Sequence, residues 1–430
     1  MTDQIKEYDV LGVGFGPANL SIAIALEEQA QAHDLSYCFL EQKPQFEWHG
    51  GMLLDGTRMQ ISCLKDLVTQ RNPTSPYSFI NYLHAHGRLN SFINLGSLTP
   101  SRVEFNDYLT WVAKQFDAVA QYGQRVIDIE PIEEQGQIEK VRVVSSDIHG
   151  NQTVRIAKNL IISMGGMPKI PELFAGFEDD KVVHSSRYKV WRDQFDTQGR
   201  APKIAVVGAG QSAAEIFVDL TNRHEAGEVH LVNRNFALHP ADDSAFVNEI
   251  FNPEFTDHVY DSNQDERKHI LARFAGTNYS VVDTEELNAI YERLYMQQVT
   301  GEGSHQHLRC HDIQEVGLKD SKVSLRYHDR IHRTQMWQEY DAVVLATGYR
   351  YDMFNQMLNK LEPMKADKQV ERRYRLPMKE NCQVNVFLQG CCETSHGLSD
   401  TLLSVLAVRS QEVVDSLLAN TDKHKQAVSA

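Results

Sequence analysis

Short apolar runs alternate with stretches of helical periodicity along this chain. Two of the runs, over residues 8–11 and 204–207, are each followed first by a glycine-rich loop and then by a stretch with helical spacing of its apolar side chains. A buried strand, a tight turn and a helix, in that order, are typical of the βαβ units that bind dinucleotides. The pattern therefore predicts two Rossmann-like units within one chain.

The two glycine-rich loops share the chemistry that a pyrophosphate needs. The first loop contains Gly12, Gly14, Gly16 and Pro17, and the second contains Gly208, Gly210, Gln211 and Ser212. Glycines let the backbone approach the phosphates closely, and the helix that follows supplies free N–H groups and the positive end of its dipole. Two such loops, roughly 200 residues apart, predict one site for a flavin dinucleotide and another for the nicotinamide that reduces it.

The residue that ends the next strand distinguishes the two sites. At this place a carboxylate accepts hydrogen bonds from a free ribose diol, whereas a cation favours a 2′-phosphate. In the first unit the apolar run 37–40 ends at Glu41, which favours the adenosine ribose of FAD. In the second unit the run 229–232 ends at Asn233 and Arg234, with no acid, which favours NADPH over NADH. The sequence thus predicts FAD and NADPH as cofactors.

We predict that the second unit is inserted into the first. The predicted limits are 1–200 for the first part of an FAD domain, 201–335 for an NADPH domain with a substrate-contacting segment, 336–420 for the second part of the FAD domain and the substrate region, and 421–430 for a disordered tail. Residues 198–202 are interpreted as a linker, and the apolar run 340–345 as a strand that closes the FAD domain. The predicted fold class is α/β, with two Rossmann-like domains and a small helical substrate region.

Composition restricts the class of protein. The 430 residues include 43 Lys and Arg against 58 Asp and Glu, a formal net charge of −15, which argues against a nucleic-acid partner. No apolar run reaches the length of about 18 residues that a membrane span needs, and the first residues lack the order of a signal peptide. None of the six cysteines forms a C-x-x-C pair, so we expect reduced thiols, no metal site and a cytoplasmic enzyme.

Flavoproteins with two dinucleotide domains are mainly disulfide reductases or monooxygenases, and a redox-active dithiol beside the flavin marks the reductases. The vicinal pair Cys391 and Cys392 is interpreted as small apolar residues of a strand. This favours a monooxygenase, which needs a water-poor pocket where reduced flavin activates O₂. Two alternatives stay open, a flavin-linked reductase that passes electrons onward and a redox-sensing flavin-binding protein. Hydroxylamine formation that depends on a small amine would separate the monooxygenase from both.

Several segments resemble one family of flavin-dependent enzymes. They are GPANL (16–20), WH (48–49), MQISCLKDLV (59–68), RNPTSPY (71–77), DDSAFVNE (242–249), TNYS (277–280) and HGLSDTLLS (396–404). Over nearly the whole chain, the sequence resembles the L-ornithine/L-lysine N-monooxygenases of hydroxamate siderophore biosynthesis, and it is closer to the ornithine N5-hydroxylase branch. The resemblance implies that FAD, NADPH and O₂ serve to hydroxylate the terminal amine of a small amine or amino acid.

The resemblance also implies catalytic and substrate-binding residues. Lys65 would pair with the substrate α-carboxylate, helped by Asn248 and by the hydroxyl of Ser404. Asn278 would contact both the substrate and the nicotinamide ribose, and Lys65, Asn248 and Asn278 together would hold the amine for reaction. Only the neutral amine is nucleophilic, and since a free alkylammonium has a pKa of about 10.4, the pocket must favour the unprotonated form.

Further residues are implied to hold the two cofactors. Besides the first loop and Glu41, the flavin would be contacted by Lys43, Trp48, His49, Gln60, the backbone at Val126, Thr401 and Leu403. Besides the glycines of the second loop, NADPH would be held by Gln211, Ser212, Arg234 and Arg102. The resemblance further implies a homo-oligomer, either a tetramer or a dimer.

Two positions depart from the family pattern and bear on the substrate. Cys63 stands where relatives usually carry Phe, and Ala245 stands where they usually carry Pro. Both changes remove bulk beside the predicted substrate residues, so histamine, putrescine, cadaverine and L-lysine stay open as alternatives. A substrate without a carboxylate would leave Lys65 with no counter-charge, and burying an unpaired cation is costly. We therefore place L-ornithine first.

Overall fold

The computed structural model describes residues 5–29, 34–177, 181–195, 199–223 and 227–428. Residues 1–4, 198 and 429–430, which belong to the predicted first domain, linker and tail, lie outside the described residues. Within the described ranges the chain folds into two α/β units, each built on a largely parallel sheet.

The first unit contains an eight-stranded sheet in the described part of the chain. Its strands are β1 (Lys6–Val13), β2 (Tyr37–Leu40), β3 (Ala120–Gln121), β4 (Arg125–Glu134), β5 (Gln137–Ser146), β6 (Gln152–Ile162), β19 (Arg375–Leu376) and β20 (Asn385–Leu388). The main order is β19-β20-β6-β1-β2-β3, and β4 and β5 extend the sheet from β6 as an antiparallel pair. Because β19 and β20 come from the C-terminal part of the chain, the first unit is split as predicted.

The inserted unit is built on a parallel five-stranded sheet, again within the described ranges. Its strands are β8 (Val182–His184), β9 (Lys203–Val207), β10 (Glu228–Val232), β13 (Gln306–Leu308) and β17 (Ala342–Leu345), in the order β13-β10-β9-β17-β8. An antiparallel sheet of β14 (His311–Lys319), β15 (Lys322–Asp329) and β16 (Thr334–Tyr340) shares a core with it. Two short pairs, β7 (Met167–Pro168) with β18 (Tyr349–Arg350) and β11 (His239–Pro240) with β12 (Val281–Val282), complete the strands described.

Strand pairing corrects both predicted limits of the inserted unit. The run 340–345 is predicted to close the FAD domain, but β17 pairs with β9 and β8 of the second sheet. β8 also belongs to that sheet, although it precedes the predicted limit at residue 200. The predicted limit at residue 335 is wrong because β17, which is fully apolar, fits the centre of either parallel sheet. Only the pairing, which the local pattern does not contain, decides between the two sheets.

Helices follow the strands in both units. They are α1 (Pro17–Glu28), α2 (Phe79–Ala85), α3 (Leu89–Leu95), α4 (Arg102–Ala113), α5 (Tyr188–Gln194), α6 (Gln211–Asn222), α7 (Pro253–Asp261), α8 (Gln264–Phe274), α9 (Thr284–Thr300), α10 (Phe354–Met357), α11 (Glu393–His396) and α12 (Leu406–Val428). Helices α7 to α9 lie between β11 and the end of the inserted unit's sheet. None of the helices in the described ranges combines the length and apolarity that a bilayer crossing needs.

The last helix is longer than predicted. The backbone of residues 421–428 continues α12, where the sequence predicts a disordered tail. No glycine or proline interrupts residues 406–428, and the Lys, Gln and Ala residues near its end are good helix formers. The polar composition that suggests disorder is therefore compatible with a helical backbone.

A segment of the first unit anchors the inserted unit. Met52 and Leu54 are buried and pack in the same core as Val183 and Tyr188 of the inserted unit. Met59, a few residues further along, packs instead in the core of the first sheet. The chain between residues 52 and 59 thus joins the two cores. Buried apolar contacts therefore connect the units, in addition to the segments where the chain passes from one unit to the other.

Candidate active site

The first glycine-rich loop joins β1 to α1 at the carboxyl edge of the first sheet. A Cβ atom at Gly12 would lie 2.2 Å from a ring carbon of Phe39, and one at Gly14 would lie 2.3 Å from the carbonyl oxygen of Ser163. Gly16, by contrast, has open space within 4 Å of such an atom and caps α1, which begins at the next residue. The loop is packed against the sheet on one side and open at the helix N-terminus, which fits a pyrophosphate.

The carboxylate of Glu41 lies beside this loop. One of its oxygens accepts a hydrogen bond from the backbone N–H of Phe15 (2.8 Å), and the other accepts one from the N–H of Lys43 (2.9 Å). These bonds hold the carboxylate at the end of β2, where the ribose of a dinucleotide lies in this kind of fold. The donor set therefore fits FAD, and the ribose contact itself stays a prediction.

A buried hydrogen-bond network lies behind the first glycine-rich loop, and its side chains are not among the predicted site residues. The Asn19 amide donates to the carbonyl of Gly14 (2.7 Å), and its oxygen accepts from the Ser163 hydroxyl (3.0 Å) and the Gln389 amide (3.2 Å). The Oε1 atom of Gln389 is buried with no partner among the described atoms. An unsatisfied buried acceptor is costly, so this oxygen also fits a bound group that supplies a donor. Asn19 stands in the GPANL motif, whereas Gln389 has no signal in the sequence.

The strand segment before Val126 is fixed against Glu41 and Lys43. The N–H of Gly123 donates to the Lys43 carbonyl, and the N–H of Gln124 donates to the Glu41 carbonyl, each at 2.8 Å. The Lys43 ammonium donates to the carbonyl of Glu47 (3.0 Å). Val126 follows as a buried residue of β4. The structure thus brings Glu41, Lys43 and the Val126 backbone to one edge of the sheet.

Trp48 and His49 lie near the junction of the two units. The backbone N–H of Trp48 donates to the side chain of Asn106 (2.9 Å). The centroid of the Trp48 ring lies 4.8 Å from that of the His49 ring. The His49 ring also lies 6.3 Å from the ring of Tyr349, which follows β17 of the inserted unit. The predicted flavin contacts of Trp48 and His49 are compatible with this position.

The second glycine-rich loop joins β9 to α6. A Cβ atom at Gly208 would lie 2.5 Å from the carbonyl oxygen of Ala346, whereas one at Gly210 would meet its nearest atom, in Ser280, at 3.6 Å. Gly210 caps α6, so Gln211 and Ser212 lie in its first turn. The open N-terminus of α6 fits a second pyrophosphate.

Arg234 lies two residues beyond the end of β10 and is exposed to solvent. Asn233 before it is buried, with its amide nitrogen 2.8 Å from the Nε2 atom of His307. The strand end thus turns one side chain inward and leaves the guanidinium outside, where it can reach a 2′-phosphate. The fit supports the predicted preference for NADPH.

Arg102 does not stand free at the NADPH site. Its guanidinium pairs with the Glu215 carboxylate through two hydrogen bonds of 2.7 and 2.6 Å. Gln60, predicted to approach the flavin, donates to Asp283 (2.9 Å). Both side chains of the first unit therefore contact the inserted unit, because the helix starting at Arg102 and the segment at Gln60 face α6 and α9 across the junction.

Three contacts tie together the segments that carry the predicted substrate residues. The Lys65 ammonium donates to the carbonyl of Phe251 (3.4 Å), which ends the 3₁₀ helix Val247–Phe251 containing Asn248. The Ser399 hydroxyl donates to the carbonyl of Ile250 (3.1 Å). The Tyr279 hydroxyl, next to Asn278, donates to the Glu393 carboxylate. The four segments therefore meet where the two units join.

Lys65 has no carboxylate partner among the described residues, and Ser404 has an unsatisfied hydroxyl. The Lys65 ammonium is half-buried, and burial lowers its pKa from the ordinary value with no opposing carboxylate. The Ser404 hydroxyl is fully buried and has no partner among the described atoms. A carboxylate would supply both a counter-charge and an acceptor.

The other predicted residues of this region are already engaged or more exposed. The amide of Asn248 is exposed and donates to the Asp243 carbonyl (2.8 Å), and Asn278 is half-buried after a 3₁₀ turn. The Thr401 hydroxyl donates to the Leu398 carbonyl (3.4 Å), and Leu403 packs partly buried against the first core. Their contacts with substrate and flavin stay predictions.

Comparison with known proteins agrees with this geometry. A family described as L-lysine 6-monooxygenase/L-ornithine 5-monooxygenase matches residues 6–351. The L-ornithine N(5)-monooxygenase of Burkholderia cepacia is 47% identical over 91% of this chain and 90% of its own length. The solved ornithine hydroxylase PvdA from Pseudomonas aeruginosa is 44% identical, covers 96% of this chain and 100% of its own, and has a TM-score of 0.92.

A second solved structure extends the comparison to the bound state. The ornithine N-hydroxylase of Kutzneria sp. 744, with reduced FAD, NADP⁺ and L-ornithine, is 34% identical, covers 96% of this chain and 100% of its own, and has a TM-score of 0.91. These findings confirm the predicted fold class and the prediction of an N-hydroxylating flavoprotein that uses FAD and NADPH. The chain belongs to the L-lysine 6-monooxygenase/L-ornithine 5-monooxygenase family.

Proposed function

We propose that this protein hydroxylates the terminal amine of L-ornithine, and that the product serves hydroxamate siderophore biosynthesis. The observation that carries the substrate assignment is the half-buried ammonium of Lys65, which has no counter-charge beside it in the described part of the chain. Burying an unpaired cation is unfavourable, so the site is completed by an anion. The α-carboxylate of an amino acid supplies this anion, whereas diamines and histamine do not.

The reaction converts the amine, O₂, NADPH and a proton into the hydroxylamine, water and NADP⁺. When bound, FAD supplies hydride acceptance from NADPH and the activation of O₂. The first loop and Glu41 would hold FAD, and the second loop with Arg234 would hold NADPH. Lys65 and Ser404 would bind the substrate carboxylate, which leaves the side-chain amine directed away from them. Asn248 and Asn278, on the inserted unit, would complete the pocket.

The two departures from the family pattern do not favour an amine that lacks a carboxylate. Cys63 is fully buried in the core of the first unit. Ala245 is exposed in the loop before the 3₁₀ helix of Asn248. Neither side chain supplies an anion that could take the place of the substrate carboxylate beside Lys65. L-lysine, which has the same carboxylate and one more methylene, is the alternative that the Lys65 contact does not exclude.

An amine panel tests the proposal directly. Native enzyme is assayed for hydroxylamine with L-ornithine, L-lysine, putrescine, cadaverine and histamine. We expect L-ornithine to have the highest kcat/KM and putrescine, which lacks only the carboxylate, to be poor. Faster turnover of histamine or a diamine than of L-ornithine would overturn the assignment.

Replacement of Lys65 tests the carboxylate contact. Lys65→Met should raise the KM for L-ornithine by about 10- to 100-fold, because a hydrogen bond to a charged group contributes roughly 1.5–3 kcal/mol. Flavin reduction by NADPH should change little, since the contact binds ground and transition states alike. Lys140→Met, which removes a surface lysine paired with Glu7, serves as the matched control. An unchanged KM in the Lys65 variant would remove Lys65 from the site.

We also propose a homo-oligomer, either a tetramer or a dimer, and a cytoplasmic location. Exposed apolar side chains at Tyr291, Tyr295 and Val299 follow one face of α9, which supports a self-association surface. The net charge of −15 and the six unbonded cysteines support the location. Light scattering of the purified protein measures the oligomeric state, and a monomer at working concentration would contradict it.

A further inference from the structure

We infer that Glu215 is a positioning residue of the NADPH site. It lies in α6, one turn after Gln211, and its carboxylate accepts hydrogen bonds from two side chains. Arg102 donates to both oxygens (2.7 and 2.6 Å), and the Gln211 amide donates to one of them (2.9 Å). The family resemblance implies that Arg102 and Gln211 both contact NADPH, and they come from different units. One carboxylate therefore holds both of them.

Burial makes this contact a specific one. The Glu215 side chain is 2% exposed and the Arg102 side chain is 13% exposed. A bidentate pair between guanidinium and carboxylate fixes the plane of both groups, and its electrostatic strength rises when water is excluded. The pair thus fixes the direction of the Arg102 guanidinium beside the first turn of α6, where the second pyrophosphate is predicted to bind.

Arg102 is held from the other side by its own unit. Its backbone N–H donates to the carbonyl of Thr57 (3.0 Å), and the N–H of Met59 donates to the carbonyl of Pro100 (2.9 Å). The segments carrying Arg102 and Gln60 are therefore pinned to each other. The guanidinium therefore reaches Glu215 from a backbone segment that two hydrogen bonds hold in place.

The inserted unit completes a chain of polar contacts across the junction. Gln60 donates to the carboxylate of Asp283 (2.9 Å), and the backbone N–H of Asp283 donates to the Gln211 side chain (2.8 Å). Gln211 donates in turn to Glu215. Both ends of the Gln211 amide are thereby engaged. Loss of the Glu215 charge would release Arg102 and one end of Gln211 together.

The inference separates two roles for Glu215 that predict opposite results. If Glu215 orients Arg102 and Gln211 for the cofactor, removal of its charge should weaken NADP⁺ binding. If Glu215 instead competes with the cofactor phosphates for Arg102, removal of its charge should free the guanidinium and tighten binding. The fixed backbone at Arg102 and the hydrogen bond from Gln211 to Glu215 favour orientation. A carboxylate that only competed with the cofactor for Arg102 would not need to bind Gln211 as well.

The test is the affinity of oxidised, FAD-loaded protein for NADP⁺, measured by equilibrium titration without turnover. Glu215→Gln keeps the shape of the side chain and should raise the Kd about tenfold, which corresponds to about 1.4 kcal/mol, with unchanged FAD content. Arg102→Met should also raise the Kd. The double variant should lose less than the sum of the two single losses, because both remove one contact. An unchanged or lower Kd in Glu215→Gln would overturn the inference.

A second ion pair on the same helix provides the control. Asp219 pairs with Arg192 at 2.8 Å, with side chains 17% and 11% exposed, inside the inserted unit. Asp219→Asn and Glu215→Gln should both lower the unfolding temperature, because each weakens a partly or fully buried ion pair, but Asp219→Asn should leave the NADP⁺ affinity unchanged. An equal loss of affinity in both variants would reduce Glu215 to a general stabilising role. The inference rests on the proposed function for NADPH binding at α6. Native protein that binds no NADP⁺ would reject both, whereas native binding with an unchanged Kd in Glu215→Gln would reject only the role of Glu215.

Discussion

The two glycine-rich loops have the same local sequence pattern but differ in how firmly the rest of the molecule holds them. In the first loop, Cβ atoms at both Gly12 and Gly14 would collide with neighbouring atoms at 2.2 and 2.3 Å. In the second, Gly208 is crowded to 2.5 Å, but Gly210 has ordinary contacts beginning at 3.6 Å. Both of these glycines in the first loop are therefore packed closely against neighbouring atoms, whereas in the second loop Gly208 is and Gly210 is not.

The strand ends show the same difference. Glu41 is fixed by the backbone N–H groups of Phe15 and Lys43, whereas Arg234 is exposed beyond β10. A pre-organised site loses less conformational freedom on binding and holds its ligand more tightly. An open site exchanges its ligand more easily. From this contrast we expect FAD to dissociate more slowly than NADPH.

The largest effect is expected from Gly14→Ala. Its φ of +85° lies in the left-handed region, which costs an L residue about 1–2 kcal/mol, and the added methyl group would also displace the Ser163 carbonyl. We expect FAD affinity to fall by well over tenfold and the protein to be purified largely without flavin. Flavin absorbance per chain measures this loss. Full flavin content in the variant would contradict the tight packing of the first loop.

The loops, the strand ends and the insertion could be predicted from sequence because each is a local pattern or follows from the order of patterns. The pairing of β17 could not, because its apolar run suits either sheet. The contact between Arg102 and Glu215 joins residues 113 positions apart, and no local spacing indicates it. Gln389 likewise reaches Asn19 only after the split unit has closed. The unpredicted part of the site consists of contacts between distant segments.

A smaller effect is expected from Arg234→Ala. Loss of one charge-assisted contact to a 2′-phosphate is worth roughly 1.5–3 kcal/mol, so the KM for NADPH should rise by about 10- to 100-fold. The KM for NADH, which lacks that phosphate, should change little. Rates of anaerobic flavin reduction with each coenzyme measure the two effects. Equal losses with both coenzymes would remove Arg234 from the 2′-phosphate.

Two buried asparagines then compare the supports of the two sites. Asn19→Ala removes the bond to the Gly14 carbonyl and leaves Ser163 and Gln389 without their shared acceptor, at a cost of about 1–3 kcal/mol. We expect FAD to dissociate several-fold faster. Asn233→Ala, which breaks a contact with His307 outside the first unit, should leave FAD dissociation unchanged. Equal rates in the two variants would show that the network does not support the flavin site.

The smallest effect is expected from Gly210→Ala, the counterpart of Gly14→Ala in the second loop. A methyl group there meets Ser280 only at ordinary contact distance, 3.6 Å or more, and the residue already has extended backbone that alanine adopts. The loss is then limited to the N-cap preference for glycine over alanine, about 0.5–1 kcal/mol at most, together with any crowding of the phosphates by the new methyl group. We expect normal flavin content and a KM for NADPH within about fivefold of native. A loss of NADPH binding as severe as the flavin loss of Gly14→Ala would show that the second loop is as tightly fitted to its ligand as the first is to its sheet, and the contrast between a held and an exchangeable cofactor would then need another cause.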